Sequence, residues 1–278
     1  MEDRLVAEAA VLRTSASFDR AVRAYTLGVA KLRESPWLLN KLISREVRFR
    51  VIGYLLYLHA DRALFGPNGG ATYGRLLETC MRRREVSPRV LKTMLALLQL
   101  SGFVDVRRGE KDKRVKFYQP TDRMFGFVRQ WLDYAVTSLD VLQPRMRRAE
   151  MLRDDPGFIE RFLVNGGRDH VDDGPVASRM PKFVAFFGGR EGASGVILAV
   201  MQAEFDDVPL PSRAALARRF GLSKTQVTKI IAEGVALGFF STDPAAVPSS
   251  TTELREEYRR WISLELAFYA RHMQPGQT

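Results

Sequence analysis

The sequence predicts a mostly α-helical protein with small β-wings, built from two winged helix-turn-helix units and flanking helices. Three observations lead there. Residues 216–240, LARRFGLSKTQVTKIIAEGVALGFF, read as a helix, a tight turn and a second helix. Residues 80–104, CMRRREVSPRVLKTMLALLQLSGFV, repeat that pattern without gaps: Ser87 and Ser223, Gly102 and Gly238, and Phe103 and Phe239 each stand 136 residues apart. A strongly basic stretch directly follows the first copy.

The likeness extends beyond the motif. Leu12-Arg13 and Phe18 match Leu152-Arg153 and Phe158, Arg45-Glu46 and Val51-Ile52 match Arg190-Glu191 and Val196-Ile197, and Arg129 and Trp131 match Arg259 and Trp261. The order is kept while the spacing drifts, as loop insertions and deletions would make it drift. Self-similarity in fixed order implies a unit of roughly 140 residues, duplicated within the chain to form a pseudo-dimer. The two units are expected over residues 1–142 and 143–278, with the seam near Gln143-Pro144.

In the first unit, Glu2–Arg13 and Ser17–Arg33 are expected as helices, and Pro36-Trp37 breaks the second. Glu46–Leu64 is an apolar-rich helix ended by the glycine-rich run Phe65-Gly66-Pro67-Asn68-Gly69-Gly70. Tyr73–Arg83 and Ser87–Leu100 make the helix-turn-helix, about 73–101. Ser87 caps its second helix, Pro88 takes the first helical position, where a missing N–H costs nothing, and Leu91, Met94, Leu95 and Leu98 form the buried stripe. Met81 and Glu85 stand where the other copy has Ala217 and Gly221. Phe103–Val106 and Val115–Tyr118 alternate apolar and polar residues around the polar stretch RRGEKDKR, which is a hairpin wing over 103–119. Thr121–Val141 returns to helix.

The second unit repeats the order with shorter connections. Asp154–Leu163 is expected as a helix, Asn165–Ser178 as an exposed Gly/Asp-rich loop, and Arg190–Glu204 as the next helix. Ser212–Phe220 and Ser223–Leu237 form the helix-turn-helix, 212–238, where Ser223 and Gln226 close a capping box and Val227, Ile230 and Ile231 face the core. Ser241–Ser249 takes the place of the wing and carries no basic residue. Ser250 with Glu253 caps a final helix that runs to about His272.

Composition narrows the classes. With 46% hydrophobic and 27% charged residues the chain is an ordinary globular protein. Its formal charge of +11 favours a polyanionic partner. Met81–Lys116 holds 11 Lys/Arg against 4 Asp/Glu, so that window carries most of the excess. Cys80, the only cysteine, excludes an internal disulfide and a cysteine-built zinc site, and is expected to be buried in the helix before the turn. The charged start and an apolar run no longer than Val51–Leu58 predict a cytoplasmic protein with no membrane partner.

The groups expected to carry function are cationic and polar. On the wing these are Arg107, Arg108, Lys111, Lys113, Arg114 and Lys116, whose flexible charges suit phosphates. On the first recognition helix they are Ser87, Arg89, Lys92 and Thr93; on the second, Ser223, Lys224, Thr225, Gln226, Thr228 and Lys229. Arg or Lys bonds guanine, Gln pairs with adenine, and a Thr methyl meets that of thymine. Arg82-Arg83-Arg84 and Arg218-Arg219 suit either a negative helix end or phosphate. Trp37, Trp131, Trp261, Phe183, Phe186 and Phe187 are expected to pack the core, with a small-molecule pocket as the sharper alternative. His59, His170 and His272 are scattered, the run His170-Val171-Asp172-Asp173 reads as a soluble loop rather than a cation site, and Gly66–Gly74 lacks the lysine of a phosphate loop. No enzyme, cofactor or metal is expected.

Ser87–Val104 with Arg107–Lys116, and Ala217–Phe240, make each unit similar to bacterial winged-helix transcription regulators, most closely the MarR family. The wing signature of that family is only approximated by Asp105-Val106-Arg107-Arg108 and Asp112-Lys113-Arg114. The resemblance implies homodimer-like architecture, in which terminal helices form the body and two motifs meet successive major grooves. Two copies on one chain then imply a monomeric pseudo-dimer, or a homodimer, that binds double-stranded DNA, with a small-molecule effector left open. Two other classes remain open: a plasmid-type replication initiator, and a winged-helix protein-interaction scaffold.

Overall fold

Capping side chains set where the helices begin. Asp3, Ser87, Thr121, Ser212, Ser223 and Thr251 each accept a hydrogen bond from a backbone N–H in the first turn of the helix that follows, satisfying donors that no helical carbonyl can reach. The structure, a computed structural model, describes residues 3–33, 45–82, 85–110, 112–174, 176–243 and 247–275. Trp37, Arg83, Arg84 and Lys111 lie outside the described residues.

The fold is mostly helical with two small antiparallel sheets of two strands each. In chain order the helices before the first sheet are α1 (Arg4–Arg13), α2 (Phe18–Arg33), α3 (Glu46–Ala60), the single turn α4 (Arg62–Phe65), α5 (Tyr73–Arg82) and α6 (Pro88–Leu100). Strands β1 (Val104–Arg108) and β2 (Lys116–Pro120) follow, then α7 (Asp122–Leu142). After Gln143 come α8 (Arg148–Asp154), α9 (Phe158–Asp172), α10 (Pro181–Phe187), α11 (Ala193–Asp206), α12 (Arg213–Phe220) and α13 (Lys224–Ala236). The strands β3 (Phe240–Thr242) and β4 (Pro248–Ser250) and the long α14 (Thr252–His272) complete the chain.

One continuous apolar core runs through both halves. The N-terminal helices of each half pack on the other half: α1 lies along α14 and α2 against α11, while α8 lies along α7 and α9 against α3. Polar links follow the same exchange. Arg23 reaches Asp206 at 2.7 Å, Arg168 reaches Asp61 at 2.8 Å, and the buried hydroxyls of Thr26 and Tyr258 meet at 2.8 Å.

Four expectations are corrected. The helix expected over Glu46–Leu64 stops at Ala60, because Asp61 leaves helical backbone (ψ 69°) and turns its buried carboxylate to the N–H of Leu64 and to Arg168. The helix expected over Asp154–Leu163 divides at Pro156, where the Asp155 carboxylate accepts from the N–H of Gly157. Asn165–Asp172, expected as an exposed loop, is the second half of α9. Gly166 and Gly167 are contact glycines: a Cβ on the first would lie 3.2 Å from Phe268, and one on the second 2.4 Å from Tyr57. Finally, Thr251 caps α14 in place of Ser250, whose N–H and hydroxyl both donate to Glu204 (2.7 and 2.6 Å).

The two helix–turn–helix segments differ at the turn. Leu222 N–H bonds the carbonyl of Ala217, and Glu85 N–H bonds that of Cys80. The small buried residue matching Ala217 is therefore Cys80, and the first turn is one residue longer than a gap-free alignment allows. Met81, set against Ala217 in that alignment, points into solvent. Gly221 closes the second turn at φ +65°, a left-handed conformation that favours glycine. In the first, the Glu85 carboxylate takes the Arg50 guanidinium at 3.0 and 2.6 Å and the Tyr54 hydroxyl at 3.2 Å. Burial among apolar neighbours pushes the Cys80 thiol up to about 11, which keeps it protonated and unreactive.

Candidate nucleic-acid interface

Strands β1 and β2 pair from Val104 opposite Pro120 to Arg108 opposite Lys116. Alternation of side chains buries Val104 and leaves Asp105, Arg107 and Arg108 exposed. A third short segment, missed in the sequence, holds the hairpin base: Thr72 bridges to Phe117, and Tyr118 N–H bonds the Ala71 carbonyl at 2.8 Å. At the tip the Asp112 carboxylate accepts from the Arg114 N–H, and Gly109 N–H bonds Val115. Arg107, Arg108, Lys113, Arg114 and Lys116 are all exposed. Arg108 and Lys116 sit directly opposite each other, an arrangement of like charges that costs the sheet about 0.2–1 kcal/mol.

Directly before this hairpin, α6 buries Leu91, Met94, Leu95 and Leu98 and presents Arg89, Lys92 and Thr93 to solvent. Ser87 is its cap, with the hydroxyl oxygen 3.4 Å from the N–H of Val90. Lys92 stands over the Tyr73 ring at 5.6 Å, while the Thr93 hydroxyl is spent on the Arg89 carbonyl. Helix and hairpin thus expose seven described cations — Arg89, Lys92 and the five of the hairpin — in one continuous stretch of chain.

The segment around α13 is built differently. In α13 the capping box is complete: Ser223 N–H donates to the Gln226 side-chain oxygen at 2.8 Å, and Gln226 N–H donates to the Ser223 hydroxyl at 3.1 Å. A glutamine pairs with adenine through both ends of its amide, and here the oxygen end already serves the cap. Lys224, Thr225, Thr228 and Lys229 are exposed, with the Thr228 hydroxyl bonded back to the Lys224 carbonyl. The hairpin that follows carries no cation; Ser241 and Ser249 pair their hydroxyls at 2.9 Å, and Glu204 binds its far strand to α11. Arg218 is exposed, whereas Arg219 bonds Gln202 and lies over Phe220.

The aromatic residues are distributed between core and cavity. Phe183, Phe186, Phe187 and Trp261 are buried. Trp131 is half-buried, its indole N–H donating to Tyr269 at 3.0 Å, and with Phe187 and Trp261 it also lines internal cavities. Glu265 at that place was not singled out in the sequence; the signal was a lone acid inside the apolar run Ile262–Tyr269. His170, expected in a loop, lies near the end of α9. Among the described residues no three His, Cys, Asp or Glu side chains cluster as metal ligands, and no helix is long and apolar enough to cross a membrane.

Comparison with family models, with characterised proteins and with solved structures finds no match for the chain.

Proposed function

We propose that the chain is a DNA-binding transcriptional regulator, a single-chain pseudo-dimer of two winged helix-turn-helix units. The observation that carries the reading is the run of seven exposed cations on α6 and the β1–β2 hairpin. A like-charge pair placed across the hairpin weakens the free fold, and phosphates are the partner that would repay it. In this reading Arg89, Lys92 and Thr93 of α6, and Lys224, Thr225, Thr228 and Lys229 of α13, enter major grooves while the first hairpin grips backbone. Ser87 and Ser223 orient the helices, and Gln226 contributes through its cap and the free amide N–H₂.

The pseudo-dimer reading rests on the exchange of helices. In an isologous assembly residue i of one copy meets residue j of the other, and j meets i. The pairs α1–α14 and α8–α7, and α2–α11 and α9–α3, have that form, and Arg23–Asp206 and Arg168–Asp61 are ion pairs that tie the two halves together. Unlike recognition helices then imply an asymmetric or imperfectly palindromic site. Residues 1–142 and 143–278 would be interlocked units that fold together.

The test is fluorescence anisotropy on DNA from upstream of the coding region against scrambled DNA, at two salt concentrations. A steep salt dependence and a preference of about a thousand-fold or more for one site supports a regulator. Binding to repeated sites with duplex opening favours a replication initiator instead. A scaffold, favoured by the cation-free second hairpin, predicts no DNA binding at any salt.

A further inference from the structure

Two cavities share Glu265 in their lining. Their volumes are 120 and 80 Å³, both are partly open, and both are lined by Glu46, Phe49, Trp131, Glu265 and Tyr269. The larger approaches the roughly 150 Å³ of cavities that admit benzene. Its walls come from α3, α7, α9 and α14, so both halves of the chain contribute. Ring faces and edges crowd the junction: Phe49 meets Trp131 at 4.9 Å, edge to face, and Phe187 meets Trp261 at 4.4 Å.

The charges around this space do not cancel once Glu265 ionises. Arg50 is occupied by Glu46 at 2.7 Å and by both oxygens of Glu85. Arg33, the other described cation on these walls, is placed to balance one carboxylate, chiefly Glu46. Two guanidiniums therefore face Glu46 and Glu85, and among the described residues no cation forms an ion pair with Glu265. Burial lifts its pKa to about 8, the nearby Glu46 charge adds to the lift, and hydrogen bonds from Trp261 and Tyr269 and the more distant Arg50 charge only partly offset it. The second oxygen of Glu46, Oε2, is buried without a hydrogen-bond partner among the described residues. His170 completes the larger cavity's polar lining.

This combination selects for ligand charge. An anion would face Glu46 and Glu265. A neutral apolar molecule would fill the space without using either acid. A cation gains from both, because aromatic faces attract positive charge and a desolvated carboxylate is an ill-satisfied counter-ion waiting for one. We infer that the Glu265 cavity binds a small organic cation, an ammonium carrying an aromatic or alkyl body, with Glu265 as its counter-ion and Phe49, Trp131 and Tyr269 as its aromatic walls. Gly53, on the α3 wall, leaves open space: a Cβ there would meet nothing within 4 Å.

The experiment is a titration of the full chain at pH 8, free of DNA, read by tryptophan fluorescence and calorimetry. The probes are benzyltrimethylammonium, benzyl alcohol and benzoate, which share a ring and differ in charge. Without DNA present, the outcome is independent of the regulator reading. The cation should bind at least about tenfold tighter than either other probe. Glu265→Gln should remove that advantage and leave benzyl alcohol within about threefold. Gly53→Leu, which leaves both acids in place, should block all three. Equal binding of the three probes, tighter binding of benzoate, an unchanged cation affinity in Glu265→Gln, or no binding at all overturns the inference. The ranking on the unaltered chain decides even where a variant does not fold.

Discussion

If the proposed function holds, removing the hairpin cations should flatten the salt dependence of DNA binding by an amount the strand register predicts. Arg108 and Lys116 are cross-strand partners and share a face, while Arg107 lies on the opposite face with Phe117. Lys113 and Arg114 sit at the tip. A duplex laid against tip and one face meets up to four cations: Arg108, Lys113, Arg114 and Lys116. Each phosphate contact contributes about 0.9 to the slope of log K against log salt, so changing all four to Ala should lower that slope by roughly 3 to 4. Near 0.15 M salt the same loss weakens binding to any sequence by on the order of a thousand-fold. The control changes Lys31 and Arg145, exposed cations away from the hairpin. Anisotropy titrations at four or more salt concentrations give both slopes. A fall of less than about one in slope, or an equal loss per charge from the control, refutes the hairpin as the phosphate grip.

Three further outcomes are expected. Changing Lys224, Thr225 or Lys229 to Ala should erode preference between sequences by about 1–3 kcal/mol per base contact while leaving the salt slope nearly intact, measured by competition with point-mutated sites. Gly74→Ala and Gly126→Ala should each stabilise the chain by about 0.5–1 kcal/mol in urea melts, since both glycines are helical and exposed and their added Cβ atoms meet nothing within 4 Å; a loss of stability would contradict the helix geometry there. Glu265 should make the chain less stable as pH rises. Its folded pKa of about 8 exceeds the ordinary 4.5, so between those values the native state holds a proton that the unfolded chain has lost. Stability then falls with pH by at most about 1.4 kcal/mol per unit across that window and levels off above it. Glu265→Gln should remove this component, and the difference between the two proteins cancels the opposite trend from His59 and His272, whose pKa values burial lowers. Parallel pH profiles for the two proteins would sink the assignment.

Which parts of the fold could be read from the sequence follows from how local each determinant is. Caps act within one turn, so Ser87 and Ser223 marked helix starts that the structure keeps. Alternation and a charged tip marked the β1–β2 hairpin for the same reason. Gly166-Gly167 misled because glycine has two uses. Read locally it breaks a helix, but here it lets α9 approach Tyr57 and Phe268, residues more than a hundred positions away along the chain. Asp61 ends α3 partly for a tertiary reason, its ion pair with Arg168, which no window around residue 61 contains. The short segment at Ala71 and Thr72 went unread because one bridge and one hydrogen bond leave no periodicity behind.

The exposed cations of the candidate interface were legible, because surface charge needs only a buried stripe beside it to be assigned a side. The acid at the cavity was a harder case. Glu265 lies among Leu264, Leu266, Ala267 and Phe268, where a polar residue normally marks the solvent side of a helix. Its neighbours in space decide otherwise: Phe49, Trp131 and Tyr269 reach it from three helices that belong to both halves. An acid on a solvated face would keep its ordinary pKa, and one in a packed core would be hydrogen-bonded on every lone pair. Glu265 has neither environment, since it borders open space and is raised by desolvation. A carboxyl that borders this cavity with no ion-pair partner among the described residues suits the proposed cationic ligand, and the charge of that ligand is what the probe series measures.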